Sequence, residues 1–238
     1  MIRTWIMFGF WALALIFAAL ICFPYTLLTN DIRLLYYVGM GAAFQGVRLA
    51  GVRVETIGLE KIIKGRNYIF LANHVSNLDP PILLPLIPGR TSVMARHDLF
   101  EYPLLGKAMR LGSLVPVDRG NREAGIAAVR EAKKVIEKGM NMTIFVEGKR
   151  SSDGKLLPFK KGPFYLAMEC GVEIVPVTIV GTYKAMPKGR LAIEAGTATV
   201  IFHDAMDPKA FPDRDALLIA VRQKINSGLP PEFQEASA

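Results

Sequence analysis

The chain opens on an unbroken apolar run and then changes rhythm. From Thr4 to Asn30 there are 27 consecutive residues without a charge, rich in Leu, Ile, Ala, Phe and Trp. Wound as a helix, this run is about 40 Å long, enough to cross a hydrocarbon core of roughly 30 Å with tilt. A signal peptide has a shorter apolar region, and Ala12 to Ala14, the one A-x-A within this run, sits in its middle rather than at its end. The run therefore reads as a retained, lipid-embedded helix, which Pro24 is expected to bend. A second uncharged stretch of 14 residues, Leu34 to Val47, lies between Arg33 and Arg48 and contains Gly39, Gly41 and Gly46. It is short for a full crossing and predicts an interfacial or re-entrant helix. More positive charge lies C-terminal to the first run (Arg33, Arg48, Arg53) than precedes it (Arg3), which puts the rest of the chain on the cytoplasmic side.

Beyond residue 53 short apolar runs alternate with helical patterns. Tyr68 to Ala72, Thr91 to Ala95, Leu114 to Val117, Met142 to Val146, Glu173 to Val180 and Thr197 to His203 read as strands, several apolar enough to be buried on both faces. Leu99 to Leu111, Asn121 to Lys138 and Gly162 to Cys170 read as helices. In the second, Ile126, Val129, Ala132, Val135 and Ile136 form the apolar face, Asn121 is the expected cap and Gly139 the stop. The alternation predicts an α/β domain with a mostly parallel sheet flanked by helices, preceded by the membrane-embedded helix pair. The expected division is 1–53 for the helices and 54–238 for the α/β domain, with a loose tail from Ser227 onward.

Composition narrows the classes. The chain is 51% hydrophobic and 21% charged, too apolar for a disordered polymer. Cys22 and Cys170 are its two cysteines, with no Cys/His clustering, which argues against a disulfide scaffold or structural zinc and points to a reducing compartment. The formal net charge is +8, and residues 54–238 keep 25 basic against 20 acidic groups. A mild positive field suits anionic headgroups or phosphorylated substrates. Nucleic acid is not an expected partner, because no basic stripe interleaved with aromatics and no recognition motif is present.

Four charged segments fall where strands end or helices begin. In Asn73-His74-Val75-Ser76-Asn77-Leu78-Asp79-Pro80-Pro81, a buried strand gives way to a turn carrying an imidazole and, five residues on, a carboxylate. If the turn folds back, Asp79 meets one ring nitrogen of His74 and leaves the other free as a general base. The same residues also fit a plainer description, with Asp79 as a helix N-cap before proline and His74 as a polar loop residue. Val117-Asp118-Arg119 and Val146-Glu147-Gly148-Lys149-Arg150 each carry charge past a strand end, where ligands bind in α/β sheets. Phe159-Lys160-Lys161-Gly162 opens a helix whose N-terminal amides favour an anion. A solvated charged loop accounts for each alone; the four together describe an anion-binding site beside a base. A P-loop, a dinucleotide fingerprint, H-E-x-x-H and G-x-S-x-G are all missing.

The ordered blocks Asn73 to Asp79, Val115 to Arg119, Glu147 to Arg150 and Val175 to Val177, with Lys160-Lys161-Gly162 between the last two, resemble the glycerolipid acyltransferase family and, within it, the 1-acylglycerol-3-phosphate acyltransferases. The third block reads Val-Glu-Gly-Lys-Arg where relatives commonly show Pro-Glu-Gly-Thr-Arg, which adds a cation. The resemblance implies acyl transfer from acyl-CoA or acyl carrier protein to the free hydroxyl of lysophosphatidic acid, with no cofactor. It implies His74 as the base and Asp79 as its orienter. Arg119, Glu147, Gly148, Lys149, Arg150 and Lys160 would form the acceptor site, and Arg96, in Arg96-His97, would be a further phosphate ligand. It also implies that the N-terminal helices dip into one leaflet of the bilayer. Another acceptor, such as glycerol-3-phosphate or a different lysophospholipid, and a non-catalytic module that binds anionic lipid are the competing expectations.

Overall fold

Runs of β-branched and aromatic residues short enough to be strands, and apolar on both sides, fix the centre of the molecule. The computed structural model describes residues 1–118 and 122–235. Its strands are β1 (Val52–Ile57), β2 (Ile69–Ala72), β3 (Thr91–Arg96), β4 (Val115–Val117), β5 (Asn141–Phe145), β6 (Ile174–Val180) and β7 (Gly196–Phe202). They form one sheet in the order β1-β7-β6-β2-β5-β3-β4. The five strands from β6 to β4 run parallel. β7 lies antiparallel to β6 and carries β1 parallel to itself. The sheet is thus mostly parallel, as expected, and no end of the six expected strands moves by more than one residue. β1 was not among them, although Val52-Arg53-Val54-Glu55-Thr56 alternates with the period of a strand; the expected division between residues 53 and 54 falls inside it.

Alternation along the buried strands sorts side chains into two layers. Phe70, Ala72, Val175 and Val177 face a layer containing Ile82 and Leu83, whereas Ile69, Leu71, Ile144 and Ile174 face one containing Ala132, Phe164, Leu166 and Val221. Each fully buried Leu, Ile or Phe contributes about 2 kcal/mol. The first layer is covered by α4 (Asp79–Leu83) and by the N-terminal helices, the second by α6 (Arg122–Glu137), α7 (Gly162–Cys170) and α9 (Arg214–Ser227). The expected helix over Leu99 to Leu111 divides into a 3₁₀ turn, His97–Glu101, and α5 (Pro103–Leu111). Pro103 has no N–H and holds Tyr102 extended at φ −68°, ψ 122°. α9 escaped the sequence reading, yet its signals are ordinary: the Asp213 carboxylate accepts from Ala216 N–H at 2.8 Å, and Leu217, Val221 and Ile225 make a buried stripe.

The apolar N-terminal run is one helix from Ile2 to Thr29, long and apolar enough to cross a membrane. It comprises α1 (Ile2–Phe17), a π-helical turn at Ala18–Cys22 and α2 (Phe23–Thr29). Pro24 supplies no N–H to the turn before it, and the widened turn takes up the mismatch. After Asn30, in the left-handed region at φ 54°, the chain returns as α3 (Arg33–Leu49). This pair is docked on the sheet domain. Thr4 Oγ1 donates to Leu191 C=O at 3.1 Å and accepts from Ile193 N–H at 3.0 Å, Met7 is buried in the sheet's core, and Thr91 N–H donates to Tyr36 Oη at 2.9 Å.

The chain leaves β2 through α4 on one face of the sheet and leaves β5 through α7 on the other. The gap between the carboxyl ends of these adjacent strands is therefore a topological switch point, the place where an open α/β sheet leaves a crevice. His74 follows β2 and Glu147 follows β5.

Candidate active site

The strand ending at Ala72 is continued by side-chain pairing. Asn73 donates Nδ2–H to Ile179 C=O at 3.0 Å and accepts Ile179 N–H on Oδ1 at 2.7 Å, extending the β2–β6 ladder by one more rung. The chain then turns sharply. Ser76 Oγ donates to Met186 C=O at 2.7 Å and accepts Leu78 N–H at 3.1 Å, pinning the outer side of the turn. Inside it, Asp79 Oδ2 lies 2.7 Å from His74 Nδ1 and accepts the N–H groups of Val75 and Ser76 at 2.7 and 2.8 Å. Asp79 is fully buried. Its carboxylate points back into the turn rather than forward over the first amides of α4, so it does not act as the helix cap its position before Pro80 allowed.

The Asp79 oxygen that accepts two backbone N–H groups also presents an acceptor to Nδ1, which requires that nitrogen to carry the ring proton. The other nitrogen, Nε2, then keeps its lone pair. The imidazole stacks on Phe145 with centroids 4.3 Å apart and planes at 30°, which fixes the ring further. His74 is buried except for a narrow exposed edge.

Glu147 enters from the neighbouring strand. Its Oε1 accepts His74 N–H at 2.9 Å and its Oε2 accepts Leu157 N–H at 2.9 Å. Burial pushes its carboxyl up to about 7; the two N–H bonds and Arg222 pull the other way, and Asp79 adds to the rise. Gly148 follows at φ +72°, in the left-handed region, with the Lys160 chain packed over it, so a side chain there would be both strained and crowded. Phe145, Val146, Gly148 and Lys160 form part of the wall of a cavity of about 890 Å³ between the sheet, α6 and α7, whose other walls include Met94, Ile126, Val129 and Pro163. A base held by a carboxylate at a strand end, beside a largely apolar cavity and a cationic loop, is equipped to move a proton at an amphiphilic, anionic substrate.

Residues 53–180 match the family model described as Acyltransferase. The chain belongs to this acyltransferase family. Among its relatives, a 1-acyl-sn-glycerol-3-phosphate acyltransferase of Limnanthes alba is 38% identical over 153 residues, 64% of this chain and 54% of that one. The human 1-acyl-sn-glycerol-3-phosphate acyltransferase alpha is 32% identical over 132 residues, 55% of this chain and 47% of that one. The chain spans about half the length of the curated relatives it matches. Among solved structures, the 1-acyl-sn-glycerophosphate acyltransferase PlsC of Thermotoga maritima superposes with a TM-score of 0.81 at 28% identity, covering 95% of this chain and 93% of that one.

Two of the blocks, Asn73–Asp79 and Glu147–Arg150, follow the carboxyl ends of the adjacent strands β2 and β5, and Val175–Val177 lies in β6 with Val177 beside Ala72, the last residue of β2. Arg96 ends β3 beside Val117 of β4, exposed and bound to Asp98 by two hydrogen bonds of 3.0 and 2.6 Å. Lys149 and Lys160 are exposed and Arg150 is half-buried, all on the loop from Gly148 to Lys160. Arg119 and the expected cap Asn121 lie outside the described residues. Asn73, Ser76 and Phe145 had no assigned part in the sequence reading, yet they hold the His74 turn and ring. Phe145 carried no separate signal, being one more apolar residue in a strand; Asn73 and Ser76 were visible only as polar residues in the motif.

Proposed function

We propose that this acyltransferase moves a fatty acyl group from an acyl thioester, acyl-CoA or acyl carrier protein, to the sn-2 hydroxyl of 1-acylglycerol-3-phosphate, giving phosphatidic acid. One observation carries the reading: Asp79 Oδ2 sits 2.7 Å from His74 Nδ1 at the mouth of the switch-point crevice, leaving Nε2 free. His74 Nε2 takes the hydroxyl proton as the oxygen attacks the thioester carbonyl carbon. The C–S bond then breaks and the sulfur leaves with the proton returned by the imidazolium, which Asp79 stabilises throughout. The relatives, 1-acyl-sn-glycerol-3-phosphate acyltransferases by name, support lysophosphatidic acid as acceptor.

Arg96, Arg119, Lys149, Arg150 and Lys160 supply the charge that holds the acceptor's phosphate. Freeing Arg96 from Asp98 is cheap, since an exposed pair contributes about 0–1 kcal/mol. The cavity behind Phe145 takes an acyl chain. The N-terminal helices embed in the bilayer, with the active site on its cytoplasmic side, so that the substrate's tail stays in lipid while its hydroxyl reaches His74. Exposed Trp5, Leu13, Leu20 and Leu28 along the first helix support its embedding in lipid.

Purified protein in detergent should release thiol from acyl-CoA only when lysophosphatidic acid is present, and His74→Ala should lower the rate at least about a hundredfold. Retained activity in that variant would sink the assignment of the base. A panel of glycerol-3-phosphate and other lysophospholipids tests the acceptor, and Arg119→Ala should raise KM most for phosphate monoesters.

A further inference from the structure

A carboxylate is a poor partner for a phosphate, and Glu147 is turned away from any. It is 1% exposed, and both oxygens are taken by backbone amides on opposite sides: His74 N–H on one, Leu157 N–H on the other. The first opens the turn that carries the base. The second lies on the far limb of the loop that carries Lys149, Arg150 and Lys160. Further bonds bind these two pieces of chain together around the same carboxyl group. Ser151 N–H donates to His74 C=O at 2.8 Å, Lys160 N–H donates to Val146 C=O at 2.8 Å, and Arg222 Nη1 donates to Leu157 C=O at 2.8 Å.

We infer that Glu147 is a positioning residue, touching no substrate, which locks the His74 turn in register with the cationic 148–160 loop through two backbone amides. A carboxylate suits this geometry because it offers an acceptor on each side. Glutamine of the same length has one acceptor oxygen and would set its NH₂ against the other amide; alanine would leave two buried N–H groups unpaired. The consequence for chemistry is that the distance between the base and the phosphate-holding loop is set by Glu147 and not by the loop's own exposed side chains. The kinetic part of this inference rests on the acyl transfer proposed above; the geometric part does not.

The test uses full-length Glu147→Gln and Leu157→Pro, the second removing one amide while leaving the carboxylate in place. Each should lower kcat by at least about tenfold while KM for lysophosphatidic acid stays within about twofold, with Glu147→Asp recovering part of the loss. In ¹⁵N-histidine-labelled protein, the downfield Nδ1–H proton resonance produced by the short His74–Asp79 bond should shift or broaden in both variants. A KM rise of about tenfold with kcat retained in Glu147→Gln would make Glu147 a substrate ligand and overturn the inference, as would an unmoved His74 resonance in either variant. Should Glu147→Gln fail to fold, Leu157→Pro decides alone. Should the wild type show no turnover with any acceptor, the proposed function falls while the resonance still decides the role of Glu147.

Discussion

Glu147 and His203 are desolvated groups of opposite sign, and their effects on stability oppose each other. The Glu147 carboxyl is raised from 4.5 to about 7 by burial, so the folded state holds a proton that the unfolded state has released between those values. Its contribution is present below pH 4.5 and is lost as pH rises to about 7, a change of about 3 kcal/mol at full development. His203 is lowered from 6.5 to about 4, by burial first and by Lys224 next. Its contribution is present above pH 6.5 and is lost as pH falls to about 4. Thr178 Oγ1 donates to Ile225 C=O at 2.9 Å, so the His203 Nε2 at 2.8 Å must be the donor to it. Glutamine can supply the same N–H. In His203→Gln, the thermal midpoint should therefore rise more steeply than in wild type as pH is lowered from about 7 to 4.5, and the rise should vanish when Glu147→Gln is added; a flat profile in the single variant would contradict the buried carboxyl. Asn73→Ala removes two buried backbone partners and should cost about 2–4 kcal/mol by denaturant unfolding.

At the scale of elements, the helix pair and the sheet behave as one packed unit. Trp11 Nε1 donates to Ala42 C=O at 3.1 Å, and the indole occupies the space a Cβ at Gly46 would need. Glycine is required there by close approach, not by backbone angle. Gly46→Ala should separate α1 from α3, shift tryptophan emission to the red and lower stability by about 1–3 kcal/mol; unchanged emission would contradict the close approach of Trp11 to Gly46. The two-residue period of β1 and the buried stripe of α9 were both readable. β1 was lost because the apolar N-terminal pair drew the division through it, and α9 because no charged motif called attention to it.

For the whole molecule, the carboxyl-terminal segment is part of the scaffold of the site. The expected loose tail is instead packed from Ser227 to Glu235: Leu229 is buried, Phe233 meets Tyr183 edge-on at 5.6 Å and covers Gly154, and Arg222 binds the Glu235 carboxylate as well as Leu157 C=O. The tail thus buttresses the loop whose Leu157 amide Glu147 holds. Phe233→Ala should destabilise the protein by about 1–2 kcal/mol and speed proteolysis within residues 151–157, with kcat reduced more than KM. Equal cleavage of variant and wild type would remove the tail from this role.

What the sequence determined by itself was everything carried by short-range pattern: the long apolar helix, six strand positions, the α/β class and the four ordered blocks. Burial imposes a period of two or 3.6 on neighbouring residues, and that period is written locally. The tertiary structure alone decided which way the polar groups face. Asp79 turns back into its own loop rather than capping α4, and Glu147 turns inward to an amide 73 residues away. No local period encodes a contact of that separation; it exists because β2 and β5 lie side by side where the chain's crossovers diverge to opposite faces of the sheet.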